Sequence, residues 1–235
     1  DLHSFPTRRS SDLHIELAAN ELICTSGAAA AGIRTASVQL SENRRFLVVD
    51  RFDLAPDGSY LGIEDFCVLD GRRAHGRYDG SYEGIARRLT DFASPAALAD
   101  AREQYALMVV YACSIGNGDA HLKNFSVLYR HAEATVELAP AYDIVSTQPY
   151  LPKDTLALTL GESKEFPSGA RLRKFVRQVT GKTEQAAARV LEQVAVGVEA
   201  AISQAKDYAK RRREAKGFVE RVVAVMRAGV ERLDA

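Results

Sequence analysis

The 235-residue sequence has no tryptophan, only two methionines and three cysteines, and its first 122 residues hold no lysine. Cys24, Cys67 and Cys113 are odd in number and widely spaced. They predict neither a disulfide framework nor a zinc site, and read as small apolar residues in a reducing cytoplasm. No apolar run approaches the ~20 residues that a membrane-spanning helix needs, so no membrane contact is expected. An apolar signal-peptide core is also missing near the N-terminus. Neither sign of charge is in excess: 31 basic side chains balance 31 acidic ones, so no global field draws the chain to nucleic acid or to an anionic membrane. What remains is an ordinary globular composition, 46% hydrophobic and 26% charged, long enough to bury a substantial core.

The basic residues are lopsided, 23 arginines to 8 lysines, and the first lysine is Lys123. It lies in the most informative stretch, Ser114-Ile115-Gly116-Asn117-Gly118-Asp119-Ala120-His121-Leu122-Lys123-Asn124-Phe125. A long apolar helical pattern precedes this stretch and a short strand-like run, Phe125 to Tyr129, follows it. A loop that only reverses direction does not need aspartate, histidine, lysine and asparagine beside two glycines. The spacing Asp119-x-x-x-x-Asn124 is that of a phosphoryl-transfer loop: a base for the acceptor hydroxyl, then an amide oxygen for Mg²⁺. Asp143 follows a second strand-like run, and with Asn124 it would hold Mg²⁺ against a triphosphate.

Along the chain, residues 1–13 are polar and aperiodic, resemble a translated sequencing-adapter remnant, and are expected to form an irregular tail that packs against nothing. Leu17, Glu21, Cys24, Ala28 and Ala31 share one face of a helix predicted over residues 15–31. Two strands are expected at 35–40 and 45–49. The second is apolar throughout and should be buried on both faces. Residues 62–79 give no clear pattern. Ser81 predicts a helix cap, and Ser94-Pro95 a cap with proline at the first helical position. The helix from Pro95 should be ~30 Å long. A hairpin is expected at 125–138, and helices from Pro152 to the end, with core stripes at 184–205 and 218–233. The run Lys210-Arg211-Arg212-Arg213 reads as a solvated helix edge, with contact to nucleic acid or an acidic partner as the alternative.

The motifs Asn20-Glu21, Val48-Val49-Asp50-Arg51-Phe52-Asp53, Glu64-Asp65-Phe66-Cys67, the stretch 116–125, and Ala139-Pro140-Ala141-Tyr142-Asp143-Ile144 resemble, in order, signatures of the HipA family of serine/threonine-kinase toxins. The resemblance implies an α+β, protein-kinase-like two-lobed fold: an incomplete small mixed lobe at 14–53, then a mainly helical lobe with the catalytic hairpin at 54–235. It implies ATP and Mg²⁺ as cofactors, a protein substrate with a target serine or threonine, and a HipB-like DNA-binding antitoxin through which nucleic acid is met indirectly. Residue by residue, Asp119 matches the catalytic aspartate, and Asn124 and Asp143 match the metal ligands. Asp50, Arg51 and Phe52 match the adenine-reading hinge. Lys123 would reach the γ-phosphate, His121 would brace the loop, and Glu21 would correspond to the helix carboxylate that orients an ATP lysine. That lysine and a glycine-rich phosphate loop lie upstream of the matched portion in the family, so these 235 residues alone are expected to bind ATP weakly and to be inactive or weak as a kinase. Two other readings stand beside the kinase: a non-catalytic antitoxin-binding module acting in operator autoregulation, and a metal-dependent nuclease using Asp119, His121 and Asp143.

Overall fold

The computed structural model describes residues 16–235. The expected tail at 1–13 lies outside the described residues.

The chain is α+β, with two small antiparallel sheets set against a larger helical half. Helix α1 (Leu17–Ala30) leads into strands β1 (Val38–Leu40) and β2 (Leu47–Val49), which pair with Val38 opposite Val49. Strand β3 (Gly62–Asp65) runs into the single turn α2 (Phe66–Leu69), whose first turn is capped by the Asp65 carboxylate accepting the Val68 N–H at 2.9 Å. A 3₁₀ turn (Ala74–Tyr78) precedes α3 (Tyr82–Phe92) and α4 (Pro95–Ser114). Strands β4 (Ser126–Tyr129) and β5 (Glu137–Leu138) form the expected hairpin, and β3 adds to its other side in the order β3-β4-β5. Helices α5 (Gly169–Thr180), α6 (Glu184–Arg211) and α7 (Lys216–Leu233) complete the chain.

Helix α4 is the hub. Residues from Tyr105 to Ser114 are all buried, as befits a helix enclosed on every side. Helices α3, α5, α6 and α7 surround it. Its tyrosines spend their hydroxyls on neighbouring backbones, Tyr111 on the Cys24 carbonyl at 2.8 Å and Tyr105 on the Tyr82 carbonyl at 2.9 Å, so the burial leaves neither hydroxyl unbonded. The three cysteines are free and buried. Burial pushes the Cys113 thiol up to about 12, which makes it unreactive.

Helix α1 lies against α6, so the segment expected as a small-lobe remnant is fastened to the helical half. Asn20, fully buried on α1, donates to the Ser146 carbonyl at 2.8 Å and accepts the Ser146 N–H at 3.2 Å. This clip holds the backbone three residues beyond Asp143.

Several details differ from the sequence expectations. Strand β2 buries only Leu47, while Val48 and Val49 are half-buried, because its two-stranded sheet covers one side of a cleft. Ser94 precedes α4 but does not cap it; its hydroxyl accepts the Val136 N–H at 2.9 Å and ties α4 to the hairpin. Residues 153–168 are irregular and helix resumes only at Gly169. Their backbone polar groups are met by bonds such as Tyr82 N–H to the Thr159 carbonyl at 3.0 Å and Leu156 N–H to the Lys164 carbonyl at 2.8 Å. In the basic run, Lys210 pairs with Asp207 at 2.8 Å and Arg212 with Glu214 at 2.8 Å, so two of its four charges are balanced locally.

Gly229 shows how closely α7 approaches α4. A Cβ there would stand 1.7 Å from the Ser114 carbonyl oxygen. Alanine at an open helical site gains up to ~1 kcal/mol over glycine. Overpacking against rigid backbone costs about 1–3 kcal/mol. Gly229→Ala is therefore expected to lower the urea midpoint of unfolding; an unchanged or higher midpoint would show that the helices part without cost.

Candidate active site

Between the β1–β2 sheet and the segments carrying Ile63 of β3 and Tyr142 lies a cleft of about 330 Å³. Ala36, Val38, Leu47 and Val49 form one wall, and Ile63 and Tyr142 the other. Phe52 closes a side, its ring stacked on Tyr142 with centroids 5.5 Å apart. Carboxylates collect at the margins: Glu21, Asp53 and Asp143. Apolar walls with carboxylates among the lining suit a ligand with an apolar body and a charged tail that reaches them through a cation.

The polar end is built from one short loop. Gly118 allows it to form: a Cβ there would meet the Asp154 carboxylate at 2.1 Å and the Thr155 carbonyl at 2.5 Å. The His121 N–H is shared between the Asp119 carbonyl at 2.8 Å and the Asn124 side-chain oxygen at 2.9 Å. The Asn124 N–H returns to the His121 carbonyl at 3.0 Å. These bonds fix Asp119, His121 and Asn124 relative to one another. The Asn124 amide then donates to the Asp143 carboxylate at 3.1 Å. Asp143 itself adopts a left-handed backbone, φ 57°, which non-glycine residues adopt at a cost that clusters at functional sites.

The Asp119 side chain faces a second groove, of about 460 Å³, lined also by Leu17, Val145, Thr147, Leu151 and Asp154. His121 is buried, 8% exposed. Burial lowers its pKa, and the nearby Asp119 and Asp143 charges only partly offset that, so the imidazole is neutral at pH 7.

The sequence profile of the HipA-like C-terminal domain family matches residues 5–202. The chain belongs to the HipA-like C-terminal domain family. Relatives include two Sinorhizobium fredii proteins named as candidate kinases: Y4dM, 39% identical over 51% of this chain and 28% of its own length, and Y4mE, 30% identical over 74% of this chain and 47% of its own. The chain thus spans less than half the length of these curated relatives. Among solved structures, HipA in the Shewanella oneidensis HipA, HipB and operator DNA complex superposes with a TM-score of 0.73 at 18% identity, covering 94% of this chain and 57% of that one. The Helicobacter pylori proinflammatory kinase CtkA superposes with a TM-score of 0.67 at 13% identity, covering 97% of this chain and 87% of its own. At those identities the likeness shows the fold, which is that of HipA and of kinase-like proteins; together with the family match it supports a kinase-like function.

The expected site residues of this HipA-family chain fall in different places. Asn124 and Asp143 touch, and Asp119 is locked to Asn124 through the His121 backbone. Glu21, 5% exposed, and Phe52 line the cleft. Asp50 points away: its exposed carboxylate accepts the Ser37 hydroxyl at 2.6 Å. Arg51 forms a two-pronged pair with Asp53, at 2.9 Å for Nε, and lies over the Tyr60 ring. That guanidinium holds the Asp53 carboxyl below the usual carboxylate range. Lys123 is ion-paired with Asp65, the α2 cap. Sequence reasoning missed Asp53, Asp65 and Tyr142 as site components, although all three lie within motifs already singled out. It also missed Tyr78, whose hydroxyl donates to the Asp119 carboxylate at 2.8 Å; that residue lies in the patternless stretch 62–79 and carried no sequence signal.

The donor set fits ATP with Mg²⁺. Among the described residues no group of three or more His, Cys, Asp or Glu forms a metal centre. Mg²⁺ differs from metals that need such a cage, since one or two carboxylates plus substrate phosphates suffice to hold it. Among the described residues, too, no helix is long and apolar enough to cross a membrane.

Proposed function

We propose that this chain carries the nucleotide cleft and acceptor-activating loop of an ATP- and Mg²⁺-dependent serine/threonine protein kinase. One observation carries the reading: the Asn124–Asp143 contact at the charged edge of an apolar cleft, with Asp119 fixed to the same loop. The apolar walls and Phe52 would enclose the adenine. Asn124 and Asp143 would hold Mg²⁺, which when bound screens the phosphate charge. Asp119 accepts the proton of the serine or threonine hydroxyl as its oxygen bonds to the γ-phosphorus and the bond to the ADP oxygen breaks. The His121 backbone N–H keeps Asp119 and Asn124 in register. Lys123, tied to Asp65, braces the loop where it meets β3; the γ-phosphate role expected of it requires leaving that carboxylate.

The HipA–HipB complex supports a further assignment, a HipB-like DNA-binding antitoxin as partner, with operator DNA reached through it. The reaction is tested with γ-labelled ATP and casein, followed by acid hydrolysis of the product. Labelled phosphoserine or phosphothreonine is expected. Release of phosphate without label in casein would leave an ATPase, and cleavage of DNA or RNA would favour the nuclease.

A further inference from the structure

Tyr78 sits where an acceptor should. Its hydroxyl donates to the Asp119 carboxylate at 2.8 Å, the bond a substrate hydroxyl must make before its proton is taken. The ring is held by few contacts. It meets His121 edge-on at 5.1 Å between centroids, and the Arg77 guanidinium lies 5.0 Å above it. Tyr78 is 37% exposed and ends a 3₁₀ turn, so it can leave without disturbing the core. It also lines the groove that holds Asp119, beside Leu17, Val145 and the exposed Leu151, with room for a polypeptide segment.

We propose that Tyr78 is an internal occupant of the acceptor hydroxyl's place on Asp119, which a protein substrate must displace. The proposal rests on the kinase reading of the site. A protein whose binding-competent state is only partly populated binds its ligand more weakly by that fraction. Tyr78 on Asp119 is the incompetent state, so the contact selects for acceptors that bind the groove well enough to expel it.

Two measurements test this. Tyr78→Phe keeps the ring and its contacts but removes the donor. The KM for casein is expected to fall roughly three- to tenfold, the scale of one part-exposed hydrogen bond to a charged group, with the KM for ATP unchanged. A lower kcat with unchanged casein KM would overturn the proposal and make Tyr78 a positioning residue for Asp119. The second measurement needs no catalysis: the tyrosine ¹³Cζ spectrum of the chain at neutral pH, with Tyr78 assigned through Tyr78→Phe. Asp119→Ala is expected to move the Tyr78 signal by more than that of any other tyrosine; an unmoved signal would show that the contact does not exist in solution. A moved signal with no transfer to casein by the full-length protein, as wild type or as Tyr78→Phe, would sink the kinase reading and, with it, the displacement proposal, leaving only the contact.

Discussion

Asp119→Asn is expected to lower kcat for phosphoryl transfer by about 10²–10⁴-fold, the usual worth of a positioned general base, and to leave Mg²⁺–ATP affinity unchanged. The asymmetry follows from placement. Asp119 lines the outer groove, whereas the walls and margins of the nucleotide cleft are made by other residues. Its carboxylate is needed only as the hydroxyl attacks, so its loss falls on turnover and not on binding. Asparagine keeps the size of the side chain and an oxygen for the Tyr78 hydroxyl, so the fold should not be disturbed. Initial rates over a range of both substrates, with calorimetric titration of Mg²⁺–ATP, separate the effects. A kcat within tenfold of wild type would remove Asp119 from the role of base.

Asp143→Asn should do the opposite. Mg²⁺–ATP affinity is expected to fall roughly 10–100-fold, the scale seen when a group that shapes a metal site is lost, while binding of ATP without metal changes little. Asparagine is the better probe than alanine because the backbone at this position is left-handed, φ 57°. Alanine would pay about 1–2 kcal/mol for that conformation, and lost folding would be confused with lost binding. Asparagine tolerates it, retains a partner for the Asn124 amide and removes only the charge. Unchanged affinity in the presence of Mg²⁺ would mean that the cation is held elsewhere.

The helices were legible where burial follows a 3.6-residue period. The stripes in α6 and α7, with Val194, Val198, Ile202, Val222 and Met226 buried, come directly from spacing. The site loop was legible because its chemistry is local: Asp119, His121 and Asn124 lie within six residues and are joined mainly by backbone bonds over that distance. Pairings over long sequence distances were not legible. Strand β3 adds to β4 from more than sixty residues away, with Gly62 opposite Tyr129. The Asn20–Ser146 clip spans 126 residues, and nothing in the local pattern of either segment announces the other. Residues 153–168 misled for a related reason: their polar backbone is satisfied by α3 and by one another, which removes the need for helix. The environment of Lys123 was missed because a cation beside a catalytic loop suggests phosphate, and only the fold brings Asp65 to it.

The central claim is that the cleft between β1–β2 and the Ile63–Tyr142 wall takes Mg²⁺–ATP with its phosphates at Asn124 and Asp143. A crystal structure of the protein grown with Mg²⁺ and a non-hydrolysable ATP analogue tests it most directly. The account predicts the adenine between Val38, Leu47 and Val49 on one side and Ile63 and Tyr142 on the other, with Mg²⁺ bridging the phosphates to Asn124 and Asp143. Nucleotide bound in that cleft with its phosphates turned away from Asn124 and Asp143, or bound at another surface altogether, would contradict it.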